Sequence, residues 1–396
     1  MRLYLLSLKP SDSLTDGFLP AAARLGLDIT VLTDQPGAHR HSYPDLDVLE
    51  CDVRDFHALI TRISTHHAPD AVFTNSDHLQ TQAALAADYF GLPAKDWRVT
   101  LRCKDKAQLR RHLAAAGAGT VWYTELAGGQ DPSGLLDLPV PYPCVVKPRE
   151  GVASEDVRLV HGPDELFRQT KEIQARRSHA PLVVEEYLTG ELYSLETLGD
   201  GHIRHVLGGF HTRLSRPPTF IEQCHDFVPA HPEPITGQVI GQLEALGIHF
   251  GACHTEFVVQ GDRARIIEVN YRAIGDQCDL LLADVLGIPL FEHILRTHLG
   301  EPLPPDLGAH SGRAGRLEYT LADRAGTLTA APDAGDVTTG GVQLTYRPLR
   351  ERGTWHALHR TNRDYLGVLR AVGPDRNSVD RAATGFLTAQ TWEVTP

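Results

Sequence analysis

The chain has 396 residues, 42% hydrophobic and 22% charged, an ordinary globular composition with enough apolar material to bury a large core without disulfide or metal staples. A formal net charge of -12 argues against nucleic acid as main partner, because binding a phosphate backbone needs a basic surface. No stretch approaches the roughly 20 apolar residues of a membrane span. The cysteines, Cys51, Cys103, Cys144, Cys224, Cys253 and Cys278, form no C-x-x-C pair, which disfavours a zinc or redox motif and fits a reducing, cytoplasmic compartment.

At roughly 100–200 residues per domain, the length predicts two to four structural units. The apolar start, Met1 to Leu8, stops at Lys9-Pro10; it is too short for a signal peptide and reads as a first buried strand. A helix over Thr15 to Leu25 follows, with Gly26 as C-cap. Ile29 to Leu32, Val48 to Val53 and Ala71 to Thr74 read as strands, and Phe56 to Ser64 and Leu79 to Phe90 as helices. This β-α-β alternation predicts a small parallel sheet with helices on its faces. It lacks G-x-G-x-x-G, so no dinucleotide fingerprint is present.

Further along, Lys106 to Ala115 predicts a helix, Gly128 to Pro143 a loop, and Pro143 to Pro148 and Leu182 to Tyr187 strands. Glu191 to Leu198 and His202 to Phe210 read as a hairpin. Gly237 to Leu246 is a helix, and Gly251 to Gln260 with Arg263 to Tyr271 a second hairpin. Helices over Gln277 to Leu286 and Leu290 to Leu299 come next. The remainder mixes short strands with a final helix near Ser378 to Ala389.

The strongest chemical signal is in the second hairpin. Glu268 and Asn270 lie two residues apart, followed by Arg272. On a strand such residues share a face at about 6.6 Å spacing. Glu256, on the other arm, joins them if the hairpin loop has an odd number of residues. Two carboxylates and an amide oxygen can hold Mg²⁺ while leaving positions for triphosphate oxygens, and an arginine can neutralise a transferring phosphoryl group. The alternative is a solvated face with a salt bridge. Phe257, Val258, Ile266 and Ile267 argue for burial, where unpaired carboxylates are costly.

A second signal is a pair of lysines. Lys106 opens a helix, and Lys147 ends the apolar strand Cys-Val-Val-Lys. A buried ammonium must face negative charge or shift its pKa; surface snorkelling is the alternative. After Lys147, Gly151 and Ser154 can offer N–H groups to phosphate. A third signal is Val183-Val184-Glu185-Glu186-Tyr187-Leu188, which reads as a linker facing an adenine edge or as a plain edge strand.

Taken in order, these motifs resemble the ATP-grasp superfamily: a helix-start lysine, a strand-end lysine before a small-residue loop, a Glu-x-Tyr-Leu-like hinge, and a Glu…Glu-x-Asn-x-Arg hairpin. The resemblance runs from about Thr100 to Gly300. It implies ATP and Mg²⁺, with Mn²⁺ as substitute, as cofactors. Lys106, Lys147 and Ser154 would bind phosphate. Glu185 would contact the adenine amino group, with Glu186, Tyr187 and Leu188 completing the hinge. Glu256, Glu268 and Asn270 would hold the metal, and Arg272 would stabilise the acyl phosphate. His254-Thr-Glu256-Phe and Glu268-Val-Asn-Tyr-Arg272 look most like the L-amino-acid ligase and carboxylate–amine ligase branch of natural-product or siderophore pathways.

The implied fold class is α/β and α+β. An N-terminal parallel α/β domain (1–98) precedes a two-lobed ATP-grasp fold, with a first lobe and lid (99–188) and a second lobe with the metal hairpin (189–305). A C-terminal α+β extension (306–396) follows. One departure is Glu155-Asp156, two acids where such loops usually carry more glycine and a basic residue.

Substrate-facing candidates are His211, Arg213 and Glu222 in the polar stretch to Pro229, His254 as a substrate contact or proton acceptor, and Asp276 as an ammonium ligand. The expected reaction phosphorylates a small-molecule carboxylic acid to an acyl phosphate and condenses it with an amine, releasing ADP. Expected partners are those substrates, without nucleic acid or membrane, in a protein that resembles homodimeric relatives. The alternatives are a bicarbonate-using carboxylase and an ATP-binding module without turnover.

Overall fold

In the computed structural model, which describes residues 1–119 and 121–396, strands β1 (Arg2–Leu6), β2 (Asp28–Thr33), β3 (Asp47–Glu50) and β4 (Ala71–Phe73) form a parallel sheet in the order β3-β2-β1-β4. The helices Phe56–Ser64 and Gln80–Tyr89 lie close to their predicted bounds. Three helices were not anticipated, Pro36–Ser42, Trp97–Lys104 and Pro163–Arg176. The first helix begins as a π-helical turn, Ser13–Phe18, before regular turns over Leu19–Arg24.

A second, antiparallel sheet is built from β5 (Tyr123–Leu126), β6 (Cys144–Pro148), β7 (Arg158–Val160) and β8 (Leu182–Glu186), in the order β5-β8-β6-β7. The helix Pro163–Arg176 covers it, burying Leu166 and Ile173 against Val146, Val160 and Val184. The stretch 128–143 holds a 3₁₀ turn, Pro132–Asp137, in place of a plain loop.

The third sheet carries β9 (Glu191–Asp200), β10 (Arg204–Val206), β11 (Gly209–Leu214), β12 (Glu222–Val228), β13 (Phe250–Gln260) and β14 (Arg263–Asn270). The polar stretch after His211 is therefore two paired strands, not a loop. The C-terminal strands β15 (Ala314–Leu321), β17 (Gly335–Thr339), β18 (Val342–Pro348) and β20 (Tyr365–Gly373) continue the same sheet; β16 (Gly326–Ala330), β19 (Trp355–His356) and β21 (Glu393–Thr395) form a small separate one. The large sheet runs β14-β13-β9-β11-β12-β15-β20-β18-β17, with β10 beside β9.

One core joins these parts. Leu3, Leu5 and Phe73 of the parallel sheet pack with Leu281 and Phe291 of the helices Cys278–Leu286 and Leu290–His298, and with Leu317 and Val368 of the C-terminal strands. A buried lysine adds a polar tie: Lys95 Nζ donates to Gln80 Oε1 at 2.7 Å and to the Tyr271 carbonyl just past β14 at 2.5 Å. Burial pulls its pKa down to about 7. No helix among the described residues is long and apolar enough to cross a membrane.

The large sheet is tight where β9 passes β11. A Cβ on Gly209 would sit 1.9 Å from the Ser194 carbonyl oxygen, which also accepts from His231 Nε2 at 2.9 Å. Gly209→Ala is expected to destabilise the chain by about 3 kcal/mol, read as a lower urea midpoint; an unchanged midpoint would contradict this packing.

Candidate active site between the two lobes

The four-stranded lobe and the large sheet face each other across a cleft lined by Lys106, Lys147, Glu185, Glu256 and Glu268. One wall is set by the start of the helix Lys106–Ala115, whose Leu109 and Leu113 pack with Leu195 and Phe257 of the large sheet. Asp105 caps that helix, accepting from the N–H groups of Ala107 and Gln108 at 3.0 and 3.1 Å, and also pairs with Arg149 after β6. Lys106 Nζ donates to Glu268 Oε1 at 2.8 Å and to the Gly151 carbonyl at 3.3 Å. Burial lowers the Lys106 pKa, and Glu268 more than reverses this, leaving it above its ordinary value. Lys147, buried on β6, reaches Glu185 Oε2 at 2.7 Å. Burial leaves it below its ordinary value.

Glu185 is held by a residue the sequence reading passed over. Arg110 donates Nε to Glu185 Oε1 at 2.8 Å and Nη2 to Oε2 at 3.1 Å. Burial pushes Glu185 up, but Arg110 and then Lys147 bring it to about 2. Its carboxylate thus faces these two cations. Glu186 turns the other way, accepting from the Trp122 N–H at 2.7 Å and pairing with Arg265. The Tyr187 N–H donates to the Pro143 carbonyl at 3.0 Å, and Leu188 packs with Leu192 and Val258.

The floor depends on one irregularity. The loop Gly261-Asp262 has two residues, since Gln260 pairs with Arg263. An uninterrupted ladder would set Glu256 opposite Ile267 and turn Glu268 to the other face. A β-bulge at Ile267 restores the parity: Glu256 lies directly opposite Glu268, and His254 opposite Asn270. Directly opposed residues share a face with roughly 5 Å between Cβ atoms. Arg110 secures the bulge as well, donating Nη1 to the Ile266 carbonyl at 2.6 Å and Nη2 to that of Ile267 at 3.1 Å.

His254 is clamped: Nδ1 lies 2.7 Å from Glu196 Oε1 and Nε2 3.2 Å from Glu256 Oε1. Burial lowers its pKa, yet Glu196 and Glu256 raise it to about 10, so both ring nitrogens donate. Glu256 is in turn held below its ordinary value by His254, against its burial. Glu222 is pushed up to about 8 by burial, then by Glu256 and Asp276. Asp276 is in a left-handed conformation (φ 54°), its carbonyl accepting from Tyr319 Oη at 2.8 Å.

Two candidates do not join this group. His211 pairs with Tyr193 across the ladder, and Tyr193 with Phe257, so His211 and Arg213 occupy the sheet face opposite Glu256. His211 stacks on Tyr193 and bonds Glu191 at 2.6 Å; Arg213 lies 4.0 Å from both Asp226 and Glu318. Their expected place beside substrate is corrected by the register. Arg272 folds back, Nη1 donating to the Ala273 carbonyl at 2.8 Å. Ser154 Oγ donates to the Phe220 carbonyl at 3.0 Å, bridging the loop after β6 to the opposite lobe.

Among the described residues no group of three or more His, Cys, Asp or Glu is arranged to hold a metal. Two opposed carboxylates with a neighbouring amide oxygen do fit a hard divalent cation whose remaining ligands are water and phosphate oxygens.

Residues 140–280 match the ATP-grasp domain model. The chain carries an ATP-grasp domain. Over its whole length its fold is similar to the L-amino acid ligase of Bacillus licheniformis (20% identity, 100% of this chain and 99% of that one, TM-score 0.79). It is also similar to the biotin carboxylase domain of the Hydrogenobacter thermophilus 2-oxoglutarate carboxylase (15%, 99% and 90%, TM-score 0.73). The uncharacterized protein y4rH of Sinorhizobium fredii is 25% identical over 100% of this chain and 84% of its own length.

Arg110 yields a test. Because the Glu185 pKa is depressed, the stability it contributes is present above its unfolded value near 4.5 and is lost as pH falls toward about 2. Arg110→Met leaves that carboxylate buried with one cation fewer. It is expected to cost about 3 kcal/mol at pH 7 and to flatten the acid-side loss of stability. Urea titrations across the pH range read both effects; unchanged stability at pH 7 would contradict the assignment.

Proposed function

We propose that the chain is an ADP-forming, Mg-ATP-dependent ligase that activates a carboxylic acid as an acyl phosphate and joins it to an amine. The observation that carries this reading is the direct opposition of Glu256 and Glu268 on one sheet face, with Lys106 bonded to Glu268 and Lys147 across the same cleft. Its similarity to the L-amino acid ligase supports the carboxylate–amine branch.

In this reading Lys106 and Lys147 bind the triphosphate, and the backbone of Glu186 to Leu188 reads the adenine. Glu185, bonded to Arg110, holds Lys147 in place and is not itself the adenine contact. Glu256, Glu268 and Asn270 would hold Mg²⁺ or Mn²⁺, which neutralises phosphate charge when bound. His254, protonated between two glutamates, orients Glu256. The acid's carboxylate oxygen attacks the γ-phosphorus and ADP leaves. The amine then attacks the acyl carbon, phosphate departs, and a proton is lost to solvent. Arg272 serves the developing charge after swinging from the Ala273 carbonyl. Glu222 and Asp276 border the acid and amine.

Incubation with Mg-ATP and pools of amino acids, hydroxy acids and polycarboxylates should release phosphate only when acid and amine are both present, with ADP and an amide formed in equal amounts. AMP with pyrophosphate would rule out the acyl phosphate. Release that needs only bicarbonate would favour a carboxylase, and binding without turnover a nucleotide module. Glu268→Gln is expected to lower turnover at least about 100-fold while the chain stays folded; turnover near the parent rate would end the metal assignment.

A further inference from the structure

Both acids after Lys147 are paired with arginines, and Glu155 lines the cleft. Ala153, Ser154 and Asp156 all hold left-handed backbone (φ 54°, 56° and 56°), a conformation that costs energy for residues with a Cβ. The surroundings hold it there. Asp156 pairs with Arg176 and Arg177, each at 2.7 Å, and Arg177 also reaches Glu155 at 2.8 Å. These contacts lie within the small lobe.

Besides the Ser154 bond to the Phe220 carbonyl, an ion pair of this loop leaves it. Arg363, in the 3₁₀ turn Asn362–Asp364 of the C-terminal part of the chain, pairs its Nε with Glu155 Oε1. Its neighbour Asn362 binds the cleft floor. The Asn362 amide accepts from the Glu222 N–H through Oδ1 at 3.1 Å and donates Nδ2 to Glu222 Oε2 at 3.1 Å. A backbone N–H can only donate, so this pairing fixes the orientation of the amide. Tyr365 Oη adds a third tie, to the Glu222 carbonyl at 2.9 Å.

The turn is rigid. Asp364 is buried, and its carboxylate accepts from His356 Nε2 at 2.9 Å and from the N–H groups of His359 and Arg360 at 2.9 and 2.5 Å. Thr361 caps the turn by accepting from the Arg363 N–H.

We infer that this turn is a positioning element of the active site: Arg363 holds the phosphate-side lid loop shut through Glu155, while Asn362 fixes Glu222 on the floor beneath it. Lid and floor are thereby referenced to one preorganised piece of backbone. The role of the turn in turnover rests on the ligase reading; its hold on the lid does not.

The test is a double-mutant cycle on the full chain with Arg363→Ala, Glu155→Ala and the pair. Arg363 is 59% exposed at its side chain, so its removal leaves the fold intact, which a melting curve checks. The first readout is hydrogen–deuterium exchange of the peptide spanning 149–158, without nucleotide. Arg363→Ala is expected to speed exchange there about 2- to 5-fold, the range for an exposed ion pair. In the Glu155→Ala background it should add nothing. No change in the parent background, or an equal change in both, overturns the inference. The second readout is phosphate released per amide formed, which should rise in Arg363→Ala as acyl phosphate leaks to water; a ratio equal to the parent's overturns the coupling to turnover. If no acid- and amine-dependent phosphate release occurs in the parent chain, the ligase reading fails while the exchange cycle still judges the latch.

Discussion

The Arg110 guanidinium donates to two strands from different sheets, to β8 through Glu185 and to β14 through the carbonyls of Ile266 and Ile267. A bulge frees backbone groups that a regular ladder would use, and a buried free carbonyl is costly. The bulge at Ile267 is therefore affordable only where a donor reaches it. The same cation offsets the Glu185 carboxylate, which in turn faces Lys147. Helix, hinge strand and hairpin are locked by one planar fork, a geometry that lysine's single ammonium cannot reproduce.

The bulge creates the site's central electrostatic problem. Like charges directly opposed on a ladder destabilise it. Glu256 opposes Glu268, and each needs a cation of its own: Lys106 from the start of its helix for Glu268, and the His254 imidazolium from the same strand for Glu256. Glu196 then neutralises the far side of His254. Glu222, beside this group, has its pKa raised first by burial and then by the charges of Glu256 and Asp276. Such a surface lowers its energy by accepting positive charge, which supports the proposal of a cation-bound triphosphate above it.

Much of this was legible in the sequence. The parallel unit, the helix Lys106–Ala115 and both arms of the second hairpin follow from periodicity and capping residues. The requirement on loop parity was also readable, though the sequence does not reveal that a bulge would meet it. Arg110 could have been found, since it lies four residues beyond Lys106 on the same helix face. So could the helix Pro163–Arg176, which opens with proline, carries Asp164 and Glu165 in its first turn, and buries Leu166, Thr170 and Ile173 at helical spacing. His211 and Arg213 were misplaced because the polarity of β11 and β12 hides their alternation: Thr212 and His225 face the site, while their charged neighbours face away. Asn362 and Arg363 carry no local signal; only the path of the C-terminal strands brings them to Glu222 and Glu155.

That path also decides which half of the cleft moves. The strands bearing Glu256, Glu268, Glu196 and Glu222 belong to a sheet that β15 and β20 extend beyond β12, so the floor is hydrogen-bonded on both sides at that point and packed onto the core shared with the parallel unit. The roof is different. It is a four-stranded sheet whose edge strands β5 and β7 are short, with a loop after β6 held in left-handed backbone mainly by ion pairs. Low-energy opening concentrates where buried apolar contact is least. On that ground the roof is the half expected to open, and a residue that restrains it from the floor's side is placed as Arg363 is, on the C-terminal part of the chain.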